Sequence, residues 1–369
     1  MSKPRLIAFY LPQYYPTKEN DEWWGKGFTE WTNVGRAKPL FKGHYQPRVP
    51  ADLGYYDLRV PEVRIQQAEM AKNAGIEGFC YWHYWFAGKR MLDRVFGEVV
   101  ETGKPDFPFC LCWANHSWYA KTWDPNKPSK LLIEQTYPGI EDYEEHFYAM
   151  LPAFKDRRYI RINEKILFAV YDPLNIPEPQ LFIETWNRLA RENGLEGFYF
   201  MGFTIKDSLK QEILKVGFDS VLVDFVFGAS EKSGTLPNIY IKKILRKLLR
   251  KPITIEYSQY SQYLLNNYIV NENVYPSICP NYDHSPRSKF RGTIIVNSTP
   301  QKWKKLCHEM FSKVSVRSAE DNLVFIKAWN EWGEGTYLEP DTEYGYEYLE
   351  AFSYAENHYM EEMYKYEQS

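Results

Sequence analysis

The chain of 369 residues carries 45 Lys and Arg against 48 Asp and Glu, a formal net charge of −3, and this balance gives no indication of a nucleic-acid partner. Hydrophobic residues make up 44% of the chain and charged residues 25%, as in ordinary soluble proteins, and the length suffices for one large domain or two smaller ones. No stretch approaches the roughly 18 consecutive apolar residues of a membrane span.

Short apolar runs alternate along the chain with longer amphipathic stretches, which is the order expected for βα units. The predicted strands are Arg5–Tyr10, Ile76–Trp82, Phe107–Trp113, Lys165–Tyr171, Gly197–Phe203, Phe218–Phe225, Val274–Cys279 and Leu323–Trp329. The predicted helices are Val60–Ala74, Met91–Thr102, Tyr143–Phe154, Pro179–Asn193, Ser208–Val216, Ile241–Leu249, Pro300–Ser315 and Tyr346–His358.

This alternation predicts an α/β fold, a (β/α)₈ TIM barrel formed as a single domain by residues 1–369. A doubly wound open sheet is the structural alternative. That fold usually has a Gly-rich phosphate-binding turn after its first strand, whereas Leu11–Pro16 follows the first strand here. The spacing therefore favours the barrel.

Residues 11–59, between the first strand and the first helix, form a segment too long for a simple connector. It contains several large aromatic residues, which is not the composition of a disordered segment. These are Trp23, Trp24, Phe28, Trp31, Tyr45, Tyr55 and Tyr56. We expect an ordered cap over the mouth of the barrel.

The aromatic share of the whole chain, 17%, is unusually high. Many of the rings stand in polar stretches rich in Gly and Pro, where they could pack against the apolar faces of sugar rings. A core and surface rich in Tyr explains the composition equally well. Composition alone therefore leaves glycan binding open.

Polar and aromatic residues recur where the predicted strands end, and active sites of such barrels lie at the C-terminal ends of the strands. Any one of these residues could instead be an ordinary core or rim residue, but their recurrence at one end favours a substrate site. Together with two residues of the long loop, the substrate-binding candidates are Tyr10, Gln13, Glu30, Trp31, Tyr81, His83, Trp85, Trp113, Asn115, Tyr171, Asp224, Tyr282, Asp283, Asn330 and Trp332.

Glu331 and Glu334, which follow the eighth predicted strand, are the candidate catalytic pair. Cleavage of a glycoside needs one carboxyl group as proton donor and a second as base or nucleophile. The neighbouring Trp329 and Trp332 could desolvate one of the two and separate their pKa values. A helix N-terminus with two dipole-complementing acids is the alternative explanation.

The sequence predicts no cofactor and no metal site, because its seven histidines and five cysteines lack the spacing of metal ligands. The odd number of cysteines without paired spacing argues against a disulfide framework and for a reducing compartment. Residues 1–12 lack the apolar core and cleavage site of a signal peptide, so we expect a cytoplasmic protein.

Residues 241–251 form a basic amphipathic stretch with Ile241, Ile244, Leu245 and Leu248 on one side. We interpret it as an outer barrel helix with a solvated face. Peripheral contact with an anionic membrane near a lipid-linked glycan is the alternative.

Long motifs resemble those of the WbsX-type proteins of bacterial polysaccharide and lipopolysaccharide O-antigen gene clusters. They are Ala8–Pro16, Gly27–Val34, Gly78–Phe86, Trp113–Asn115 and Trp329–Thr336. Such proteins are similar to glycoside hydrolase family 99, the endo-α-mannosidases, and are often described as glycosyltransferases of lipopolysaccharide biosynthesis. The resemblance covers nearly the whole chain.

The resemblance to family 99 implies a (β/α)₈ barrel and retaining, metal-independent cleavage. The family motif Asn-Glu-Trp-x-Glu-Gly-Thr matches residues 330–336. By that match Glu331 is the base that deprotonates the sugar's own 2-hydroxyl to give a 1,2-anhydro sugar. Glu334 is the acid on the leaving oxygen and then the base for water. The sequence departs from the family at Gly333, where family 99 has His.

Three functions remain open at this point. The first is a retaining glycoside hydrolase or transglycosidase acting on a bacterial poly- or oligosaccharide, with mannose- or rhamnose-type sugars whose 2-hydroxyl is axial. The second is a glycosyltransferase that uses an activated sugar, although the sequence has no Asp-x-Asp motif and no Gly-rich phosphate loop. The third is a non-catalytic glycan-binding barrel.

Overall fold

The computed structural model describes residues 2–120, 130–232, 248–270 and 273–367, and in it eight parallel strands close into a barrel. The strands are β1 (Arg5–Tyr10), β2 (Gly78–Phe86), β3 (Phe109–Trp113), β4 (Lys165–Val170), β5 (Phe198–Thr204), β6 (Ser220–Asp224), β7 (Val274–Ile278) and β8 (Leu323–Ile326). Each strand pairs with the next along the chain, and β8 pairs with β1 to close the barrel.

Helices connect the strands around the outside of the barrel. The described helices are α1 (Lys18–Trp24), α2 (Glu30–Arg36), α3 (Pro61–Asn73), α4 (Arg94–Thr102), α5 (Ile140–Phe154), α6 (Pro179–Glu192), α7 (Lys210–Lys215), α8 (Phe225–Lys232), α9 (Tyr257–Asn267), α10 (Ser285–Ser288), α11 (Pro300–Val314) and α12 (Glu347–Glu367). Shorter strands are Lys89–Met91, Trp118–Ala120, Lys130–Ile133, Arg161–Ile162, Ile253–Glu256, Thr293–Val296, Asn330–Glu331 and Thr336–Tyr337.

Alternation along the strands divides their side chains between the inside of the barrel and the helical layer. Phe9 of β1 stacks on Trp82 of β2 at 4.8 Å between ring centroids and contacts Phe203 and Phe325, so these four rings fill the interior. The neighbouring residues Tyr10 and His83 therefore point outward, toward the helices.

The predicted barrel is confirmed, and the observed strands coincide with the predicted ones to within a few residues at each end. The largest difference is β2, which continues to Phe86 because it pairs beyond the barrel with Lys89–Met91. The predicted helix Ile241–Leu249 lies mostly outside the described residues, and so does most of the basic stretch 241–251. Within the described ranges, no helix is both long and apolar enough to cross a bilayer.

The long segment 11–59 folds as two short helices joined by irregular chain. α1 begins after Thr17, whose hydroxyl oxygen accepts a hydrogen bond from the Asn20 amide, and α2 begins after Thr29 in a capping box. The segment returns to the C-terminal end of the barrel, where its side chains contact the loops after β7 and β8. All five cysteines are buried and none forms a disulfide.

Candidate active site

A tight turn after β8 carries both candidate catalytic carboxyls. Asn330–Glu331 pairs antiparallel with Thr336–Tyr337, and the residues between them, Trp332–Glu334, form a single 3₁₀ turn. Gly335 ends this turn at φ +55°, a left-handed conformation that favours glycine. A Cβ atom on Gly335 would also lie 2.7 Å from the Cβ of Asp283. The turn therefore packs directly against the loop after β7.

Arg287, from α10 in the loop after β7, binds both carboxylates with one nitrogen. Its Nη1 donates to Glu331 Oε1 at 3.1 Å and to Glu334 Oε1 at 2.6 Å. Because both oxygens bond to this nitrogen, Glu331 Oε1 and Glu334 Oε1 lie less than about 6 Å apart.

The two carboxyls differ in charge state because their surroundings differ. Burial and then the negative charge of Glu334 raise the pKa of Glu331 to about 7. Burial also opposes ionisation of Glu334, but Arg287 and the nearby His284, 3.5 Å away, hold the pKa of that carboxyl well below its usual range. At pH values below about 7, the pair in the free protein therefore carries one proton, mainly on Glu331.

Glu30, the first residue of α2, binds the other side of the same guanidinium. Its Oε2 accepts from Arg287 Nε at 2.9 Å, and its Oε1 accepts from Asn33 Nδ2 at 3.1 Å. Glu30 is only 3% exposed. A Cβ atom on Gly333 would lie 1.8 Å from Glu30 Oε2 and 3.0 Å from Arg287 Nε, so this ion pair occupies the space beside the glycine.

A second ion pair lies beside the carboxylates inside the barrel. Lys327, just after β8, binds Asp224 at the end of β6, and its ammonium group lies 5.3 Å from the ring centroid of Tyr282. Although burial opposes it, Asp224 raises the pKa of Lys327, which stays protonated. Tyr171 stacks on Phe203 at 5.0 Å between ring centroids and forms an aromatic wall beside these charges.

Five of the predicted substrate-binding residues are not brought to the carboxylate pair, because they lie on the helix-facing side of their strands. Tyr10 donates to Gln67 of α3, and Tyr81 packs on Phe96 of α4. The others contact α5 or the strand beside them: His83 bonds His146, Trp85 donates to Asp142, and Trp113 donates to the carbonyl of Trp85. The polar groups and rings of these five residues therefore face away from the carboxylate pair.

Five further candidates connect loops at the barrel end. Asp283 accepts from His44, Gln46 and the Ser285 amide, and despite its burial these bonds and the charge of Arg48 lower its pKa to about 2. Asn330 pairs with the backbone of Leu11, and Asn115 pairs with that of Asp172. Trp332 donates to Glu339, and Trp31 packs against the Trp332 ring at 5.6 Å. Their polar groups are already used within the protein.

Four of the predicted substrate-binding residues lie near Glu331 and Glu334, namely Glu30, Tyr171, Asp224 and Tyr282. The Gln13 side chain is half-buried, and its backbone carbonyl accepts a hydrogen bond from the Glu30 amide. Sequence reasoning missed Arg287, His284 and Lys327. Lys327 had a signal, since it is a lone cation in the apolar run Val324–Trp329. Arg287 had none, because it stands in an ordinary polar segment.

Comparison with known proteins places this chain in a family. The family model described as Glycosyltransferase WbsX matches residues 6–352. Two curated proteins, both called uncharacterized protein WxcX and from two strains of Xanthomonas campestris pv. campestris, are each 36% identical to it over 94% of the chain and 48% of their own length. The chain therefore spans about half the length of the curated relatives it matches.

Solved structures share its fold. The GH99 endo-alpha-mannosidase from Bacteroides thetaiotaomicron aligns over 98% of this chain and 99% of its own, with a TM-score of 0.55 and 16% identity. A glycoside hydrolase-like protein aligns over 96% and 94% respectively, with a TM-score of 0.59 and 13% identity. At these identities the likeness establishes the barrel fold.

Proposed function

This chain belongs to the WbsX glycosyltransferase family, and from that membership and the geometry of its carboxylates we propose that it is a retaining glycoside hydrolase or transglycosidase. The observation that carries the proposal is the contact of Glu331 and Glu334 with one Arg287 nitrogen at the C-terminal end of the barrel. Two carboxyls this close, with one proton between them, are the equipment of an acid/base pair.

The proposed roles follow the family match. Glu331 takes the proton of the sugar's 2-hydroxyl, whose oxygen attacks the anomeric carbon to give a 1,2-anhydro sugar. Glu334 protonates the departing oxygen and later deprotonates the water or acceptor hydroxyl that opens the anhydro ring. Because the free protein holds the proton mainly on Glu331, the reactive form is the minor one in which that proton has moved to Glu334.

The charges around the pair favour a neutral glycan over a nucleotide sugar as the donor. Arg287 already binds three carboxylates, and Lys327 is paired with Asp224. A diphosphate would therefore approach a site where these two cations are already engaged by carboxyl groups. The second candidate, a glycosyltransferase that uses an activated sugar, is favoured by the family's description.

The proposed substrate is a poly- or oligosaccharide of the bacterial surface with mannose- or rhamnose-type residues. The proposed mechanism requires a 2-hydroxyl that can attack the anomeric carbon from the face opposite the leaving group. An axial 2-hydroxyl in an α-linked sugar meets that requirement, and a GH99 neighbour is named as an endo-alpha-mannosidase.

A product assay tests the proposal. The protein is incubated with α-mannan or a rhamnose-rich O-polysaccharide in ¹⁸O water, with and without GDP-mannose or dTDP-rhamnose, and products are read by mass. We expect shortened, ¹⁸O-labelled or glycan-transferred products without any nucleotide sugar. Lengthening that depends on a nucleotide sugar would instead establish the glycosyltransferase, and binding without any product would establish a lectin-like barrel.

Variants separate the two roles. Glu334→Gln should lower kcat on the natural linkage by at least about 100-fold, the usual contribution of general acid catalysis. It should retain turnover of a 2,4-dinitrophenyl glycoside, whose leaving group needs no proton. Glu331→Gln should lose both activities. Glu101→Gln, at an exposed position of α4, is the matched control and should behave as the parent protein.

A further inference from the structure

The contacts of Arg287 join three loops at one side chain. Arg287 itself comes from the loop after β7, Glu30 from the long segment after β1, and the two carboxyls from the turn after β8. The Arg287 side chain is 23% exposed and that of Glu30 is 4% exposed, so these contacts are shielded from water. Hydrogen bonds between a guanidinium and carboxyl groups require a particular donor direction, so shielded pairs of this kind fix the relative positions of the side chains that they join.

We propose that Arg287 is a positioning residue that holds both reactive carboxyls against one guanidinium nitrogen, and that Glu30 and Gly333 serve to place it. This inference rests on the proposed function of Glu331 and Glu334. It reassigns Glu30, which the sequence suggested as a substrate ligand, to the support of Arg287.

The geometry explains why three partners are needed. The guanidinium is planar, so a bond at Nε and bonds at Nη1 fix both its position and its tilt. Glu30 occupies Nε, and Asn33 in turn holds Glu30. Nη1 then points between Glu331 and Glu334, and it donates to both. A lysine at the same position could not bind all three carboxylates in a fixed plane.

Gly333 is the condition for this arrangement. Any side chain at position 333 would place its Cβ within 1.8 Å of Glu30 Oε2. Glu30 would have to leave, and Arg287 would lose the bond that sets its tilt. The space that a side chain at position 333 would need is therefore filled by the ion pair of Glu30 and Arg287.

Arg287 also sets the charge of the pair, together with the other ionisable groups that the described residues place beside it. These groups are Glu30 from α2, Tyr84 from β2, Tyr171 after β4, Asp224 from β6, Tyr282 and His284 after β7, and Lys327 after β8. Of the cations among them, Arg287 is the one hydrogen-bonded to both carboxyls. Its loss should raise the pKa of each of them.

The test is a ¹³C NMR titration of protein labelled at the glutamate carboxyl carbons, in the absence of any glycan. In the parent protein the Glu334 signal should stay that of a carboxylate down to pH 4.5, the ordinary pKa of a glutamate. In Arg287→Met, and equally in Gly333→Ala, it should titrate above pH 4.5. Gly97→Ala in α4, where a Cβ would meet nothing within 4 Å, is the matched control and should leave the titration unchanged.

Kinetics supply the second measurement once turnover is established. Arg287→Met and Gly333→Ala should lower kcat by about 100-fold, the loss expected when reacting groups move by roughly 1 Å, with KM changed by less than about threefold. Added guanidinium should restore part of the turnover of Arg287→Ala. Arg287→Lys, which keeps the positive charge, should still have a lowered kcat.

An unchanged Glu334 titration in Gly333→Ala, or full turnover in Arg287→Lys, would overturn the inference. The NMR titration uses no substrate, so a protein that cleaves no glycan still gives a decision on the role of Arg287. If the Glu334 titration changed in the variants as expected but the parent protein cleaved no glycan, the proposed function alone would be rejected.

Discussion

Removing the ammonium group of Lys327 should destabilise the barrel strongly. Lys327→Met preserves most of the side-chain volume but leaves Asp224, whose side chain is 2% exposed, without its counter-charge. The other oxygen of Asp224 accepts from the Val226 amide at 3.0 Å, so the carboxylate cannot turn toward water without uncapping α8. Breaking a buried ion pair from one side costs about 3–5 kcal/mol in the free energy of unfolding.

The pH dependence of this ion pair's contribution to stability allows the measurement to be made at neutral pH. The pKa of Lys327 is higher in the folded than in the unfolded protein, so its contribution is fully present at pH 7 and is lost only as pH rises above about 10.5. Urea unfolding at pH 7, followed by tryptophan fluorescence, reports the loss. The double variant Asp224→Asn/Lys327→Met should recover about 1–3 kcal/mol, because the uncompensated charge is then gone.

A surface pair provides the control. Lys305, 76% exposed, lies 3.7 Å from Glu309 one helical turn along α11, and Lys305→Met should change the unfolding free energy by no more than about 1 kcal/mol. If Lys327→Met lowered the free energy of unfolding no more than Lys305→Met does, Lys327 would not act as the counter-charge of Asp224 and this prediction would be refuted.

Three other predictions address the site and its frame. The pair loses its shared proton as the pH passes the pKa of Glu331, which is about 7. The value of kcat/KM should therefore fall as the pH rises above 7, and a profile that stays level from pH 6 to 9 would contradict the shared proton. His83→Ala should leave KM unchanged but lower the free energy of unfolding by about 1–3 kcal/mol, because buried His146 loses the hydrogen-bond partner that lies 2.7 Å from its Nε2. A raised KM with unchanged stability would instead indicate that His83 binds substrate. Trp332→Phe should destabilise by a similar amount of about 1–3 kcal/mol in urea unfolding, because Glu339 loses the indole donor at 2.6 Å, and no change in the unfolding midpoint would show that this bond contributes nothing.

The barrel itself was readable from the sequence because its signals are local. Strand runs such as Val274–Cys279 and helix runs such as Pro179–Asn193 have periods and boundaries that depend on near neighbours. Their regular alternation admits few arrangements of the chain, and the closed barrel is one of them. The same order of elements predicted that Glu331 and Glu334 follow the last strand, and in the structure both residues lie at the C-terminal end of the barrel.

The direction of side chains at the strand ends was not readable, because β2 is apolar on both faces. A strand buried on both sides has no polar alternation to reveal which residues face inward. His83 and Trp85 were therefore indistinguishable from Trp82, although only Trp82 faces the interior. Closure of the barrel, which sets the tilt and stagger of every strand, decided between them.

The sequence by itself determined the order of strands and helices and the family, and it predicted the carboxylate pair. The tertiary structure alone decided which cation serves that pair, since Glu30 and Arg287 lie 257 positions apart and Asp224 and Lys327 lie 103 apart. Charges that meet only when loops from different strands converge leave no trace in local periodicity. Their pairing depends on closure of the barrel, which brings the ends of β1, β6, β7 and β8 to one mouth.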